Sequence, residues 1–216
     1  MSHRSASRRL GQRPPSRQPH PAHAECVFRG VLFEVWQWQQ NLFDGSTTTF
    51  ETIRRPDTVL ILPVSGSEVI LAEETQPARP TVLKALGGRV NPGESPEDAA
   101  ARELLEETGY RSENLRLWDA WQPAIKLDWA VYIFIAHTLV IESTQKLDPG
   151  EQIKLKPIGV DVLLDGDSNL PIDDFVLLHK LYHARSSKAE RLNLIRLLEP
   201  PNDGLPPKSQ TSGNGR

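Results

Sequence analysis

Six carboxylates crowd the segment from Gly87 to Tyr110, GGRVNPGESPEDAAARELLEETGY, which contains only two arginines. The acids are Glu94, Glu97, Asp98, Glu103, Glu106 and Glu107, and the arginines are Arg89 and Arg102. Like charges at helical spacing repel one another. Hard divalent cations take oxygen ligands, and Mg²⁺ usually takes one or two carboxylates together with substrate phosphates. The crowding therefore favours a site that binds a divalent cation.

The later acids fit a helix that begins after Ser95 and ends at Gly109. Ser95 can cap the first turn, Pro96 suits the first helical position, and early acids complement the positive end of a helix. Gly109 is a typical helix stop. At about 100° per residue, one stripe of this helix consists of Glu103, Glu106 and Glu107. The same spacing predicts that the core-facing side consists of Ala101, Leu104, Leu105 and Thr108.

A solvated acidic face is the alternative interpretation of this stripe. Three features favour a cation site instead. No basic residue inside the helix lies four positions after any of the three acids. Ala99 and Ala100, one turn earlier, are expected to leave open space above them, and a glycine-rich loop, LGGRVNPGE, runs directly into the helix.

The segment resembles the Nudix box, G-x5-E-x7-R-E-U-x-E-E-x-G-U, in which U is a bulky apolar residue. The matching residues are Gly88, Glu94, Arg102, Glu103, Leu104, Glu106, Glu107 and Gly109, with Tyr110 at the last U. Members of this family fold as an α/β/α sandwich around a mixed sheet. They cleave nucleoside diphosphates linked to another moiety, by attack of water on phosphorus with a divalent metal. The resemblance implies the same fold and chemistry here.

The resemblance also implies roles for the acids of the box. Glu103 and Glu107 would be the primary metal ligands, and Glu106 a further ligand, direct or through water. The carbonyl of Gly87 resembles the backbone ligand of relatives. Arg102 and Glu94 resemble the pair that orients the carboxylates. The expected cofactor is Mg²⁺, with Mn²⁺ as the alternative.

Relatives place a late glutamate in a loop as catalytic base or extra metal ligand. Glu151, in LDPGEQIKLKP, matches that place. Asp148 is the competing acid of the same loop. Glu106 is the alternative group that would activate water.

The regions around the box resemble the ADP-ribose and nucleotide-sugar pyrophosphatase branch, roughly from Phe28 to Ala184. The branch commonly has Glu-Leu-Pro-Ala-Gly where this chain has Lys84-Ala85-Leu86-Gly87-Gly88. An ADP-sugar such as ADP-ribose is the expected substrate. Arg79, Arg54 and Arg55 are candidates for donating hydrogen bonds to the substrate phosphates. Arg79 precedes the box, and the other two lie at a strand end.

These residues need a scaffold, and the rest of the sequence predicts an α/β layer fold. Strand patterns such as TVLILPV and AVYIFIAHTLV lie before and after the central helix, and DDFVLLHKLYHAR has helical spacing at Phe175, Leu178 and Tyr182. VFRGVLFEVWQWQQ and TTTFETIRR, joined by an Asp-Gly turn, predict an antiparallel two-stranded extension. The apolar surroundings of His137 indicate a structural histidine.

We expect four segments: a disordered basic tail over 1–24, a strand hairpin over 25–55 that could serve dimerisation, a hydrolase domain over 56–198, and a disordered tail over 199–216. Residues 1–24 contain no acid and little apolar material.

The whole-chain composition limits the partners. The chain has 216 residues, a net charge of −3 and a single cysteine, Cys26. This composition excludes an intrachain disulfide and gives no basic excess for nucleic acid. No apolar run approaches the roughly 20 residues of a membrane helix. We therefore expect a cytoplasmic enzyme that acts on a small molecule, with a homodimer as one option. The alternatives are a nucleoside triphosphate pyrophosphohydrolase and a non-catalytic Nudix-fold ligand sensor.

Overall fold

The computed structural model describes residues 12–166 and 170–201. In chain order the strands are β1 (Glu25–Arg29), β2 (Glu34–Asn41), β3 (Thr47–Arg54), β4 (Thr58–Ser65), β5 (Glu68–Thr75), β6 (Val82–Lys84), β7 (Tyr110–Trp121), β8 (Leu127–Asp128), β9 (Val131–Ile141) and β10 (Gln152–Gly159). The helices are α1 (Pro96–Thr108), α2 (Val160–Asp165), α3 (Phe175–Ser186) and α4 (Lys188–Leu198).

The larger sheet has the order β10-β5-β4-β9-β7, and β6 pairs with β5. β4 and β9 run parallel to each other at its centre, whereas the other neighbours are antiparallel. Residues 59–64 of β4 and 131–136 of β9 are all buried, and their nearly uninterrupted apolar sequence is typical of strands covered on both faces.

Helices cover both faces of this mixed sheet. On one face α1 packs Ala99, Ala100 and Leu104 against strand residues that include Val59 and Phe134. On the other face α2, α3 and α4 cover a second set of strand residues; the helix residues are Leu163, Leu164, Val176, Leu177, Leu181, Ala184, Leu194 and Leu198. The expected α/β/α sandwich is confirmed.

The N-terminal extension is a small sheet with the order β1-β2-β3-β8. The predicted Asp-Gly turn joins β2 and β3, with Gly45 in the left-handed region at φ 85°. The segment expected as one strand forms two, because a turn in which the N–H of Gly30 donates to the carbonyl of Phe33 separates β1 from β2. β8 comes from the larger domain and pairs in parallel with β3. The small sheet is therefore tied to the domain that follows it.

The small sheet exposes several apolar side chains, among them Val27, Phe28, Phe33 and Phe43. Its role in dimerisation stays a prediction.

Two predicted helix faces are wrong in detail. On α1, Ala101 is exposed, whereas Ala99 and Ala100 are fully buried and leave no open space. The sheet therefore covers a face centred on Ala100 and Leu104. On α3 the predicted apolar spacing fell on exposed residues, which are Phe175, Leu178 and Tyr182.

The reason for the second error is α4, which sequence reasoning did not find. α4 packs beside α3 and selects which side of α3 is buried. Its start had a recognisable signal, because Ser187 caps it and Glu190 lies three residues later.

His137 links β9 to the last helix, as its structural role predicts. The ring is 2% exposed, and Nε2 lies 2.6 Å from the carbonyl oxygen of Leu197. Because a carbonyl can only accept, Nε2 carries the proton.

The predicted N-terminal tail differs from the structure in its second half. Residues 12–24 form no helix or strand, but Arg13 donates to both carboxylate oxygens of Asp57 and to Asp128, and His20 stacks on Trp36. The partly buried Asp57 and the buried Asp128 form ion pairs with the arginine, so this part is held against the domain. Residues 1–11 of the predicted N-terminal tail and residues 202–216 of the predicted C-terminal tail lie outside the described residues. Among the described helices none is long and apolar enough to cross a bilayer.

Candidate functional site

A cleft of about 1040 Å³ opens between α1, the loop that precedes it and the start of α3. Its carboxylates come from three places: α1, the loop before β10 and the N-terminal end of α3. They are Glu103, Glu106, Glu107, Asp148, Glu151, Asp173 and Asp174. Its basic lining residues are Arg55, Arg79, Lys84, Arg89, Arg102 and Lys146. All acids predicted as metal ligands or catalytic base therefore line one cleft.

The sequence signals that fix α1 act as predicted. The hydroxyl of Ser95 accepts a hydrogen bond from the backbone N–H of Asp98, and Gly109 ends the helix at φ 77°. These caps fix where α1 begins and ends, and the packing of Ala99, Ala100 and Leu104 on the sheet determines which of its residues face the cleft.

Arg102 organises one side of the acid cluster. Its Nε and Nη2 donate to the two oxygens of Glu94 at 2.8 and 3.0 Å. Its Nη1 donates to Glu103 at 2.8 Å and to Glu106 at 3.0 Å, and Nη2 also reaches the carbonyl of Arg89. The bond from Arg102 holds the pKa of Glu94 below its usual value. The expected pairing of Arg102 with Glu94 is present in the structure.

Glu107 forms the buried floor of the cleft at 4% exposure. Burial raises the pKa of its carboxyl to about 8, although Lys84 and the N–H of Gly87 act in the opposite direction. The negative charges of Glu103 and Glu151 raise that pKa further. The positive groups around Glu107 therefore do not fully compensate for its burial and for the neighbouring negative charges.

Two glycines allow the loop to approach these acids. Gly87 has φ 136°, and its N–H donates to Oε2 of Glu107 at 2.7 Å. A Cβ on Gly88 would lie 2.3 Å from Oε1 of Glu103. Burial also raises the pKa of Glu103, and the bond from Arg102 opposes that rise. The observed contact of Gly87 is made by its N–H; the carbonyl role expected for it stays a prediction.

Glu151 and Asp148 both reach the cleft from the loop before β10. The N–H of Glu151 donates to the carbonyl of Asp148 at 2.9 Å across the Pro149-Gly150 turn. Burial raises the pKa of Glu151, and the charge of Glu74 adds to that effect. Glu151 is partly buried whereas Asp148 is exposed, so Glu151 is the more enclosed of the two.

The three arginines that are candidates for binding the substrate phosphates differ in which cleft they line. Arg79 lines the cleft and is exposed, and its guanidinium makes a long contact of 3.4 Å to the side chain of Gln76. Arg54 does not line it; its side chain lies in a neighbouring cleft of about 630 Å³, with Nε 3.8 Å from Asp128. Arg55 lines both clefts, whereas Arg54 lines the neighbouring cleft and not the acid cleft, so contact of Arg54 with substrate stays a prediction.

Arg55, a candidate from the sequence, forms a wall of the cleft together with Trp129, and the contact between them could not be predicted from the sequence. The guanidinium carbon of Arg55 lies 4.7 Å from the ring centroid of Trp129. Trp129 donates from Nε1 to the hydroxyl of Thr58 at 2.9 Å, and its ring lies 6.0 Å from that of Phe175. Burial lowers the pKa of Arg55, and within the described part of the chain it forms no salt bridge. No local signal marks this contact, since Arg55 and Trp129 are far apart in sequence.

The carboxylates of Glu103, Glu106 and Glu107 are chemically suited to bind a hard divalent cation, but they are not preassembled in the geometry of a metal site. Among the described residues, no three acid, histidine or cysteine side chains stand together at ligand spacing. Oxygens of Glu103 and Glu106 contact Arg102, and one of Glu107 contacts Gly87. Yet the donors are oxygens, and burial raises the pKa of both Glu103 and Glu107, as expected where positive charge is lacking.

Comparison with known proteins agrees with this geometry. Residues 54–176 match the family model described as NUDIX domain. The "ADP-ribose pyrophosphatase" of Bacillus subtilis (strain 168) is 28% identical over 141 residues, which are 63% of this chain and 76% of that protein. The "ADP-sugar pyrophosphatase" of Mus musculus is 31% identical over 126 residues, 52% of this chain and 55% of that protein.

A solved structure described as "Crystal structure of ADP compounds hydrolase" superposes with a TM-score of 0.63. It is 23% identical and covers 80% of this chain and 95% of its own, so it supports the fold. The family match spans more than half of the chain and includes the acid cluster of α1. This chain therefore belongs to the Nudix family and is a Nudix hydrolase.

Proposed function

We propose that this protein hydrolyses the diphosphate bond of a nucleoside diphosphate derivative with a divalent cation, and that its substrate is an ADP-sugar such as ADP-ribose. One observation carries the proposal: Glu103, Glu107 and Glu151 line one cleft. The charges of Glu103 and Glu151 are close enough to raise the pKa of Glu107. The names of the relatives from Bacillus subtilis and Mus musculus support the substrate class.

Glu103 and Glu107 would hold Mg²⁺ or Mn²⁺, with Glu106 and the Gly87 carbonyl as further ligands. When bound, such a cation neutralises phosphate charge and lowers the pKa of water. Arg102 keeps the carboxylates of Glu103 and Glu106 in place by its hydrogen bonds.

The remaining steps belong to side chains around the cleft. Glu151 accepts a proton from the attacking water, whose oxygen forms a bond to phosphorus while the bridging P–O bond breaks. The products are a nucleoside monophosphate and a sugar phosphate. Arg79 and Arg55 are placed to donate to the phosphates, and phosphoryl transfer depends largely on such positioning and charge neutralisation.

Trp129 lines the cleft but is only 6% exposed, with the guanidinium of Arg55 over its ring, so Arg55 is the more accessible member of this wall.

A substrate panel tests the proposal directly. ADP-ribose, other ADP-sugars and nucleoside triphosphates are incubated with Mg²⁺ or Mn²⁺ in H₂¹⁸O, and products are identified by mass. We expect labelled nucleoside monophosphate or sugar phosphate from ADP-sugars and no turnover by Glu107→Gln. Release of pyrophosphate from triphosphates alone would instead identify a triphosphate pyrophosphohydrolase, and absence of all turnover would favour a ligand sensor.

A further inference from the structure

Lys84 introduces a positive charge into the acid cleft at a place where the branch commonly has an acid. It is the last residue of β6 and lies three positions before Gly87. It lines the cleft together with Glu107, Glu151 and Asp174. Its side chain is 24% exposed, so it is neither a core residue nor a free surface lysine.

The partner of Lys84 is a buried carboxylate outside the Nudix box. Its Nζ lies 2.9 Å from Oε2 of Glu74, which is 2% exposed on β5. The other oxygen of Glu74 accepts a hydrogen bond from Nε2 of Gln76 at 3.1 Å. A buried carboxylate needs such partners, since an unpaired buried charge is strongly unfavourable. Lys84 and Glu74 are therefore held in one arrangement.

The charge of Lys84 also acts on other acids of the site. It favours the ionised form of Glu107, Glu151 and Asp174, and thereby opposes the effect of burial on each of them. Arg102 has the corresponding position on the other side, where it contacts Glu94, Glu103 and Glu106. Lys84 and Arg102 thus act on different members of the acid cluster.

We propose that Lys84 and Glu74 are a charge pair that sets the affinity of this cleft for a divalent cation, without either residue being a ligand. The inference rests on the proposed metal-dependent hydrolysis. An unneutralised ammonium next to Glu107 and Glu151 repels a divalent cation, and Glu74 offsets that repulsion. Both are positioning residues, since they act through the field at the carboxylates.

This role predicts a pattern that a purely structural pair would not show. Glu74→Gln leaves the lysine charge without its partner and should weaken Mn²⁺ binding by roughly tenfold, by Coulomb repulsion at short range. Adding Lys84→Gln to Glu74→Gln removes that charge and should restore the affinity to within about twofold of the wild type, because the net charge of the pair is again zero. Adding Lys84→Arg instead keeps the charge and should not restore it.

The test is a titration of the full-length protein with Mn²⁺ alone, followed by the electron paramagnetic resonance signal of the free ion, so it does not depend on activity. Lys156→Gln combined with Glu74→Gln is the matched control, since it removes one positive charge from an exposed residue of β10 that does not line the cleft. Only the pairing with Lys84→Gln should restore binding. Thermal unfolding of every variant is measured to check that the fold survives.

Restoration by Lys84→Gln and none by Lys84→Arg supports the charge pair. Equal affinities in Glu74→Gln and its combination with Lys84→Gln would overturn it while leaving the proposed function intact. A wild-type protein that binds no Mn²⁺ would overturn both. If Glu74→Gln alone does not fold, Lys84→Gln alone decides at pH 8: tighter Mn²⁺ binding than wild type supports the pair, and equal or weaker binding overturns it.

Discussion

The backbone N–H of Gly87 donates a 2.7 Å hydrogen bond to Oε2 of Glu107, across the cleft between the loop and α1. The loop can take this position because residue 87 is a glycine. Its φ is 136°, and it lies so close to the carbonyl of Val59 that a Cβ would be only 2.1 Å from the oxygen. The glycine therefore couples the strand β4 to the most buried acid of the site.

Gly87→Ala should destabilise the fold by about 2–4 kcal/mol, because it combines a left-handed backbone with overlap against backbone atoms. Gly93→Ala is the matched control: Gly93 has φ 82° but nothing lies within 4 Å of a Cβ there. It should cost only about 1–2 kcal/mol. Urea denaturation measures both, and equal costs would show that the contact with Val59 is unimportant.

Removing the charge of either primary acid should abolish most activity. Glu103→Gln and Glu107→Gln should each lower turnover by about 10³-fold or more, equivalent to about 4 kcal/mol, if they hold the cation. Neither substitution should unfold the protein. At pH 7 Glu107→Gln should leave the free energy of unfolding unchanged or raise it, since burial raises the pKa of Glu107 to about 8. Steady-state kinetics at saturating Mg²⁺ with near-native turnover would contradict the ligand assignment.

Arg102→Ala should weaken metal binding by roughly 10–100-fold, because its hydrogen bonds orient the carboxylates of Glu103 and Glu106. Arg111→Ala is a suitable control, since it pairs with exposed acids of β7 and the segment after β9. Isothermal titration with Mg²⁺ measures both affinities. An affinity equal to that of wild type in Arg102→Ala would reduce the residue to an ordinary ion pair.

Glu151→Gln should lower kcat by about 10²–10⁴-fold with little change in KM, the usual contribution of a general base. Asp148→Asn, in the same loop but exposed, should have a mild effect. Burial raises the pKa of Glu151, so the acidic limb of the wild-type pH–rate profile should lie above the ordinary range of a glutamate and be lost in Glu151→Gln. Full kcat with an unaltered acidic limb in that variant would transfer the role to Glu106.

His137 should make the stability of the fold sensitive to mild acid. Burial lowers its pKa from the ordinary 6.5. As pH falls below 6.5, the unfolded chain binds the proton before the folded chain does, so stability declines until the folded-state pKa is reached. His137→Gln should therefore lose less stability than wild type between pH 7 and pH 5, and His23→Gln, at an exposed residue, should behave as wild type. Chemical denaturation at each pH measures the difference; parallel curves would contradict it.

Local sequence determined the elements whose signals lie within one or two turns. The caps and acids of α1 are adjacent in the chain, and the Asp-Gly turn and the apolar runs of β4 and β9 carry their own periodicity. Helical spacing predicted the acidic stripe of α1, and the strand and helix patterns predicted an α/β layer fold. The α/β/α sandwich and the roles of the acids were implied by the resemblance to the Nudix box.

Tertiary packing decided the rest. Arg55 lines the acid cleft and Arg54 does not, which depends on the packing of Arg55 against Trp129, a residue distant in sequence. The buried side of α3 depends on α4, and the pairing of Lys84 with Glu74 depends on β6 lying beside β5. Each of these contacts joins segments that are distant in sequence, where local periodicity contains no information about the partner, so only the folded chain specifies them.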